Sequence, residues 1–535
     1  MAQTCVVDPK RHVLVGAGHK HVSVWNIGKK NYKRQDLKTT GGDNVIKHND
    51  PGVDYDPVCD KIVAWHGGSV YELDMDTKVW TEHKAEGFPK PSKWGTFGRW
   101  KYVPIVNAYI VVNNINENVY FYKLTAGGPA HKANPLSGLP SKPGPHIDKI
   151  KALGNNEWLV LGKPKADPKW GTARGRSWGV RQTYASDLEG AFFCGCGVHG
   201  YVNPDGYYMD DLWFYDINQH KWICLYPGAN TKTLKLKLDK HSFEVNEKGE
   251  CTPVSYLSHT YGSVTYIPGI QKYMIAYTNC PHWARVLPQR KEWLGFPPEW
   301  IGGAGGKLNI MSRHPLFWDV KTGKWERRFT EGEGPDPRVW GSLIQYIPFL
   351  DKVFLAKYGK VWLYDYKSNT WEVLLKRSNL HPKQNSCLGI YDSKRRRVWV
   401  AAKKTMDYFD FKTNKWIEVK GEGDFPEKFT GNVNVGSLNY DTVNDVFIYH
   451  LPRETKPKRI YGDMYAYDPV QNKWTHLKRT YPYDKKTWDL QNAFYDPKLN
   501  AHFYYLAMDS RDNGKMLVYR YKKSSLGESN KEEKK

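Results

Sequence analysis

An aspartate followed six residues later by a tryptophan occurs six times in this chain, each time just after an aromatic-rich run typical of a strand. The residues between the two are of turn type, as in Lys412-Thr413-Asn414-Lys415, so each unit predicts a strand, a tight turn and a returning strand. A unit repeated at near-constant spacing indicates a repeat architecture. The six pairs are Asp74/Trp80, Asp216/Trp222, Asp319/Trp325, Asp365/Trp371, Asp410/Trp416 and Asp468/Trp474.

A second landmark, a tyrosine that opens a turn, recurs along the chain at a spacing similar to that of the tryptophans. Trp325 and Trp371 are 46 residues apart, and Trp371 and Trp416 are 45 apart. In three units the tyrosine precedes the tryptophan by 25 residues, so two independent landmarks share one spacing. The turn-opening tyrosines are Tyr55, Tyr102, Tyr266, Tyr346, Tyr391, Tyr440 and Tyr495.

The runs between these landmarks predict β-hairpins. Residues 352–356 and 360–364 are β-branched and aromatic, with a turn between them and no helical period. Four-stranded units of about 40 to 50 residues are the blades of β-propellers. A tryptophan that closes the unit after a Tyr-Asp strand resembles a kelch repeat, although the double glycine of that repeat is clear only at Gly67-Gly68.

The predicted fold is therefore all-β, a kelch-type propeller of seven or eight four-stranded blades with loop insertions on one face. We expect one domain over residues 1–521, in which the aromatic rings fill the gaps between neighbouring sheets. The first and last segments are expected to share one blade, because closing the ring removes exposed sheet edges. Residues 522–535 are predicted to be a disordered charged tail.

The net charge of the chain indicates which classes of molecule it could bind. Lysine and arginine number 79 against 56 aspartates and glutamates, a formal net charge of +23. Because the excess is spread over the chain, it predicts a broadly positive surface that attracts acidic polysaccharide, nucleic acid or anionic membrane, although a merely solvated lysine-rich surface explains it equally well. No nucleic-acid-binding motif and no apolar run long enough for a membrane span is found in the sequence.

Two stretches in which the repeat lapses, residues 125–201 and 251–316, are where we expect function, because propeller loops carry ligands. The first contains His146, Arg176, Trp178, Arg181 and Tyr184. Guanidinium groups pair with carboxylate or sulfate, and aromatic rings stack on sugar faces, so this mixture suits an acidic sugar. A solvated basic loop is the alternative interpretation.

Cysteines and histidines in the same stretches suggest a metal site. Cys194, Cys196 and His199 lie within six residues and could supply three ligands to zinc. The alternative is that both thiols pack on one face of a strand. Cys280 and His282 form a second candidate pair, followed by Trp283 and Arg285 as candidate substrate-binding residues.

A histidine and a tyrosine in the second stretch suggest proton transfer. His259 and Tyr261 point in the same direction if the segment is extended, so one could act as a base and the other as an acid. The alternative is that His259 hydrogen-bonds a neighbouring blade.

A His-Thr-Tyr run before a Tyr-x-Pro turn, together with a Cys-x-His pair, resembles the kelch-type polysaccharide lyases, the ulvan lyases in particular. The resemblance implies β-elimination: a cation or arginine neutralises a uronate carboxylate, His or Tyr removes the adjacent proton, and a Tyr protonates the leaving oxygen. It implies a catalytic set of His259, Tyr261, His199 and Tyr184, with Arg181 at the substrate. It also implies Cys280 and His282 as ligands of a divalent metal, zinc or calcium.

The rival hypothesis is a non-catalytic propeller that binds glycans or proteins through its surface. The residues alone do not decide between an enzyme and this interaction module. No nucleotide or redox cofactor is indicated, and we expect a monomer. A lyase of this kind would be secreted or extracellular, although the sequence shows no signal peptide and its eight cysteines do not form a disulfide framework.

Overall fold

The computed structural model describes residues 4–28, 33–104, 106–124, 134–175, 182–194, 203–208, 210–241, 243–253, 262–276, 314–335, 342–377, 388–401, 405–424, 437–450, 464–477, 492–506 and 514–523. The chain divides into two compact units, Met1–Asn134 and Pro135–Lys535. The single domain expected over residues 1–521 stays a prediction.

The repeated Asp-to-Trp unit is a β-hairpin whose turn the aspartate holds in place. The Asp365 carboxylate accepts hydrogen bonds from the backbone N–H groups of Lys367 and Ser368, at 2.9 and 3.2 Å. In all six pairs the residue four positions after the aspartate has a positive φ, between 48° and 62°. A left-handed residue at a fixed place reverses the chain, so the constant spacing follows from turn geometry.

The turn-opening tyrosines mark a second kind of hairpin. Five residues after each of them the backbone again has a positive φ, as at Asp351, Asp445 and Asn500. The phenol commonly reaches this left-handed residue: Tyr346 donates to Asp351 at 2.7 Å and Tyr440 donates to Asp445 at 2.7 Å. The tyrosine therefore closes the turn that it opens.

The first unit contains three antiparallel sheets whose first strands, β1, β5 and β9, are neighbours in that order. The first sheet is β1 (Thr4–Asp8), β2 (Val13–Gly18), β3 (His21–Asn26) and β4 (Arg34–Leu37). Helix α1 (Asp43–Ile46) leads to β5 (Gly52–Asp56), β6 (Lys61–Trp65), β7 (Val70–Leu73) and β8 (Trp80–His83). A 3-10 turn, Phe97–Arg99, precedes β9 (Trp100–Val103), β10 (Ala108–Val111) and β11 (Tyr120–Tyr122).

The second unit begins with helix α2 (His146–Ala152) and strand β12 (Glu157–Gly162). Next come β13 (Thr183–Ala185), β14 (Gly190–Cys194), β15 (Leu212–Asp216) and β16 (Lys221–Tyr226), followed by the small hairpin β17 (Leu236–Leu238) and β18 (Glu244–Asn246). The following sheet is β19 (Val264–Ile267), β20 (Lys272–Ile275), β21 (Leu316–Asp319) and β22 (Lys324–Arg327), with a 3-10 turn, Pro268–Ile270, after β19.

Four further sheets complete this unit. The first of them is β23 (Leu343–Ile347), β24 (Lys352–Lys357), β25 (Lys360–Asp365) and β26 (Thr370–Leu375). The second is β27 (Leu388–Asp392), β28 (Arg397–Ala401), β29 (Met406–Asp410) and β30 (Lys415–Ile417). The third is β31 (Glu422–Gly423), β32 (Ser437–Asp441), β33 (Val446–His450), β34 (Met464–Asp468) and β35 (Lys473–Leu477). The last strands are β36 (Ala493–Asp496), β37 (Ala501–Leu506) and β38 (Lys515–Arg520), and β12 pairs with β38 as the fourth strand of their sheet.

In the second unit, six of these sheets form a β-propeller, and the chain is nearly all strand, which confirms the predicted all-β class. The inner strands contact each other in the cyclic order β13, β19, β23, β27, β32, β36 and back to β13. We refer to this arrangement as the ring. Its amino end is where the inner strands begin, and its carboxyl end is where they reach the tyrosine turns.

Two details of the predicted propeller differ. Instead of seven or eight blades, the described residues show six blades in the ring of the second unit, five with four strands and one with five, and three sheets in the first unit. The first segment does not join the last blade, because β1–β4 make their own sheet and β12 pairs with β38. Pairing between strands some 360 residues apart leaves no local sequence pattern. The kelch assignment stays a prediction.

The predicted aromatic packing between sheets is confirmed. Trp222 and Trp474 are fully buried, and Trp80 and Trp416 nearly so. Trp222 meets Tyr505 of the last blade edge-on, with ring centroids 4.9 Å apart. Among the described residues, no helix is long and apolar enough to cross a membrane.

Candidate functional site

A cavity of about 350 Å³ lies inside the ring at its carboxyl end. Each of the six blades lines it with the same three positions: a tyrosine, the residue before it and the residue two after it. The tyrosine layer is Tyr184, Tyr266, Tyr346, Tyr391, Tyr440 and Tyr495. The mouth is formed by Ser186, Pro268, Pro348, Ser393, Thr442 and Pro497, and the layer before the tyrosines by Thr183, Thr265, Gln345, Ile390, Asn439 and Phe494.

The tyrosine layer is tied to the scaffold by carboxylates. Some phenols reach across to the preceding blade: Tyr184 donates to Asp496 at 3.2 Å, and Tyr495 donates to Asp441 at 2.8 Å. Five of the six phenols donate to an aspartate, three to one in the preceding blade and two to one in their own turn. The pairs are Tyr184–Asp496, Tyr266–Asp187, Tyr346–Asp351, Tyr440–Asp445 and Tyr495–Asp441.

Burial and these carboxylates keep the phenols protonated. Desolvation raises the pKa of Tyr346 to about 12, with the adjacent Asp351 adding to the shift. The pKa of Tyr184 is raised further, first by burial and then by the charge of Asp496. At neutral pH these groups are therefore hydrogen-bond donors to the scaffold, and each phenol oxygen can still accept a hydrogen bond.

The layer before the tyrosines is only partly used to join blades. Thr265 Oγ1 accepts a hydrogen bond from the backbone N–H of Tyr346 in the next blade at 3.0 Å. Gln345 Nε2 donates to the Ile344 carbonyl at 2.7 Å, and its Oε1 lies 3.4 Å from the backbone nitrogen of Tyr391. These side chains therefore connect one inner strand to the following one.

Two amides at the same depth have unpaired groups. Gln182, which immediately precedes β13, is only 1% exposed, yet neither its Oε1 nor its Nε2 has a hydrogen-bond partner within the described chain. Asn439 is 3% exposed, and its Nδ2 likewise has none there. Buried amide groups of this kind are normally satisfied by protein, water or ligand. The two blades that supply them flank the blade of Phe494, which also lines the cavity.

Three of the residues predicted from sequence fall in the described structure, and each has its own partner. Tyr184 lines the cavity and donates to Asp496. The Nε2 of His146 lies 2.8 Å from the Ile217 carbonyl, in the turn after β15. Cys194 is buried at the end of β14, with its Sγ 3.0 Å from the Tyr273 hydroxyl.

The other predicted residues lie outside the described residues, so their roles stay predictions. These are the catalytic candidates His259, Tyr261 and His199, the substrate-binding candidates Arg176, Trp178, Arg181, Trp283 and Arg285, and the metal candidates Cys196, Cys280 and His282.

The strand ends that border these segments nevertheless have one feature in common. The segments precede β13 or β19, follow β14, or follow β20. Because Thr183 pairs with Phe192 and Val264 pairs with Ile275, all four strand ends lie at the amino end of their sheets. His146 differs, since it contacts the turn after β15, at the carboxyl end. Tyr184 also lines the carboxyl-end cavity.

The metal prediction gains no support from the described part of the chain. No group of three or more histidines, cysteines, aspartates or glutamates there could hold a metal ion. The thiol of Cys194 faces the phenol of Tyr273, which corresponds to the packing alternative for this cysteine.

Sequence reasoning missed Gln182 and Asn439. Asn439 stands one residue before a turn-opening tyrosine and Gln182 stands two before Tyr184, and six such places in the chain converge on the cavity. A comparison of the residues before each tyrosine would have marked these positions as variable and mostly polar.

No protein-family model matches the chain, and no sequence of a curated protein matches it. Among solved structures, the extracellular domain of a one-component system from B. thetaiotaomicron matches with a TM-score of 0.32 and 8% identity, over 97% of this chain and 57% of that chain. An oligogalacturonate lyase from Vibrio parahaemolyticus matches with a TM-score of 0.34 and 11% identity, over 69% of this chain and 98% of that chain. This chain thus spans little more than half the length of the first of these proteins.

Proposed function

We propose that this protein binds an acidic polysaccharide at the amino end of the ring and cleaves it by β-elimination. The observation that carries the proposal is the common position of the strand ends that border the predicted segments. Those segments hold His259 and Tyr261 before β19, and Arg181 before β13. Inner strands β13 and β19 are neighbours in the ring, so residues next to their starts are candidates for one site.

The charge of the chain supports an anionic substrate. An excess of 23 cationic over anionic side chains attracts a polymer that carries a carboxylate on each repeat. Arg181 and Arg176 are suited to carboxylate because a guanidinium donates two parallel hydrogen bonds to its oxygens. With such a substrate, we expect a secreted or extracellular protein.

The proposed chemistry needs one acid, one base and one cation. Arg181 would neutralise the uronate carboxylate, which makes the proton on the adjacent carbon easier to remove. His259 would take that proton, the bond to the leaving oxygen would break as the double bond forms, and Tyr261 would protonate the oxygen. A divalent metal held by Cys280 and His282 would add a second positive charge near the carboxylate.

The test is incubation of the full chain with uronate-containing polysaccharides while ultraviolet absorbance is recorded. Elimination creates a double bond conjugated with the carboxylate, so absorbance should rise with at least one substrate. We expect His259→Ala to abolish the rise and His21→Ala, which changes an exposed histidine on β3, to leave it unchanged. A flat trace with every substrate would rule out the lyase.

A non-catalytic interaction module is the second candidate. It is favoured by the described candidates Tyr184, His146 and Cys194, because a polar atom of each lies within hydrogen-bond distance of another protein group. Retention of the chain on an immobilised acidic polysaccharide, with no rise in absorbance, would identify this function.

A further inference from the structure

We propose that the carboxyl-end cavity of the second unit binds a neutral, polyhydroxylated molecule about the size of one sugar ring. This site is separate from the acidic polysaccharide site proposed at the amino end and does not depend on it.

The first argument is the cost of the unpaired amides. Leaving a buried polar group without a partner costs about 1–3 kcal/mol, so a molecule that pairs with the amides of Gln182 and Asn439 would be stabilised in the cavity. No hydrogen bond of either amide to another blade is found among the described residues, in contrast to Gln345, whose Oε1 lies 3.4 Å from the backbone nitrogen of Tyr391 in the next blade. The groups are therefore available to a molecule that enters the cavity.

The second argument is the chemistry of the wall. Gln182 and Asn439 offer N–H donors, while Gln182 Oε1 and the tyrosine oxygens are acceptors. A hydroxyl both donates and accepts, so several hydroxyls on a compact ring can satisfy both kinds of group. Phe494 lies in the wall between the two amide-bearing blades and offers an apolar surface for C–H groups.

The third argument is charge. No lysine or arginine is among the described residues that line the cavity, whereas five carboxylates stand behind its phenols. Arg395 pairs with Asp445 and Lys367 with Asp351, whereas Asp187, Asp441 and Asp496 have no lysine or arginine partner among the described residues. An anion would therefore still meet net negative charge behind the phenols. The cavity therefore selects against uronates, although its volume of about 350 Å³ lies within the range of small-molecule sites.

The test compares neutral sugars with their own uronates. Saturation-transfer NMR on the full chain uses glucose, galactose and mannose alongside glucuronate, galacturonate and mannuronate, which differ by one carboxylate. We expect at least one neutral sugar to bind and its uronate to bind about tenfold more weakly or worse in the same cavity. If none of the three neutral sugars binds, the proposal fails.

Matched variants locate the binding. We expect Asn439→Leu and Gln182→Leu each to weaken the neutral sugar by about threefold to tenfold, as for the loss of one or two hydrogen bonds. Gln471→Leu, at an exposed turn residue, should keep the affinity of the natural chain. Near-ultraviolet circular dichroism checks that each variant is folded.

Two results would overturn the proposal. Equal affinity of both leucine variants and the natural chain would place the sugar elsewhere, and equal binding of a sugar and its uronate at this cavity would contradict the charge argument. We expect His259→Ala, which tests the polysaccharide site, to leave neutral-sugar binding unchanged, so the two proposals can fail independently of each other.

Discussion

In the tyrosine layer of the cavity five of six phenols donate to carboxylates, whereas just inside it Gln182 and Asn439 keep amide groups without a partner. Both layers come from the same inner strands, and their residues are sequence neighbours. The repeated residue serves the scaffold, and the residue beside it varies from blade to blade. In this propeller, a change at a repeated position should therefore lower stability, and a change at a variable position should alter binding.

The largest effect is expected where an arginine joins two blades behind the tyrosine layer. The Arg395 guanidinium donates a hydrogen bond to the buried Asp392 at 2.9 Å and two hydrogen bonds to Asp445, at 2.9 and 2.7 Å. Asp445 in turn accepts from Tyr440. We expect Arg395→Ala to lower the free energy of unfolding by about 3 kcal/mol, since it leaves a buried carboxylate without its cation. Denaturant titration measures this loss.

The control is the preceding residue. The ammonium of Lys394 lies 3.6 Å from Asp445 and its side chain is 47% exposed, so Lys394→Ala should cost at most about 1 kcal/mol. Equal losses for the two variants would show that Arg395 is an ordinary surface charge.

The next effect concerns a single phenol of the tyrosine layer. The Tyr495 hydroxyl donates to Asp441 at 2.8 Å and also lies 3.0 Å from Asn500 Oδ1. We expect Tyr495→Phe to lower the free energy of unfolding by about 2 kcal/mol, because Asp441 is fully buried and loses a donor. In Tyr391→Phe the loss should be about 0.5 kcal/mol or less, since no hydrogen bond of that phenol is formed with the described residues. A larger loss at Tyr391 would refute the assigned role of the carboxylates.

A substitution in the variable layer should not lower the free energy of unfolding, in contrast to the substitutions in the tyrosine layer. Replacing Asn439 by leucine removes an unpaired buried donor and keeps the number and branching of the non-hydrogen side-chain atoms. We expect Asn439→Leu to leave the free energy of unfolding unchanged or to raise it by up to about 1 kcal/mol. A clear loss of stability in a denaturant titration would mean that this amide supports the fold after all.

The smallest effect is expected from acid acting on the tyrosine layer. Lys367 lowers the pKa of Asp351 to about 2, helped by the phenols of Tyr366 and Tyr346. The folded pKa is below the unfolded value of about 3.9, so the stabilisation is present above pH ~4 and disappears as the pH falls towards ~2. It should be less than about 1 kcal/mol, because 38% of the Asp351 side chain is exposed.

The measurement is the free energy of unfolding of the natural chain and of Asp351→Asn at several pH values. Their difference should shrink between about pH 4 and about pH 2. A difference that grows on acidification would contradict the sign of this assignment.

Local geometry explains how much of the fold could be predicted. The Asp-to-Trp spacing indicates a turn with a left-handed residue four positions after the aspartate. The turn-opening tyrosine indicates a second turn, with its left-handed residue five positions later. The hairpins are therefore encoded within a few residues of sequence. The closure of the ring by β12 is different, because it depends on pairing of Glu157 with Arg520 and has no local signature. Local hairpin signals therefore predict how many sheets there are better than they predict which sheets join the ring.

The site was less predictable for a related reason. Reasoning on the breaks in the repeat led to histidines, arginines and cysteines, and most of these lie outside the described residues. The unpaired amides of Gln182 and Asn439 lie inside regular blades, where only the ring brings residues some 250 positions apart to one cavity. An asparagine in a strand and a glutamine just before one are unremarkable in sequence, and only their burial without partners distinguishes them.

The division of roles between the two layers is tested most directly by thermal unfolding of two variants with and without the neutral sugar that binds best. Tyr495→Phe should unfold at a lower temperature and still be stabilised by the sugar. Asn439→Leu should unfold at the temperature of the natural chain or above it and gain less from the sugar. The reverse pattern, a destabilised Asn439→Leu that keeps its response to sugar beside a stable Tyr495→Phe that loses it, would contradict the account.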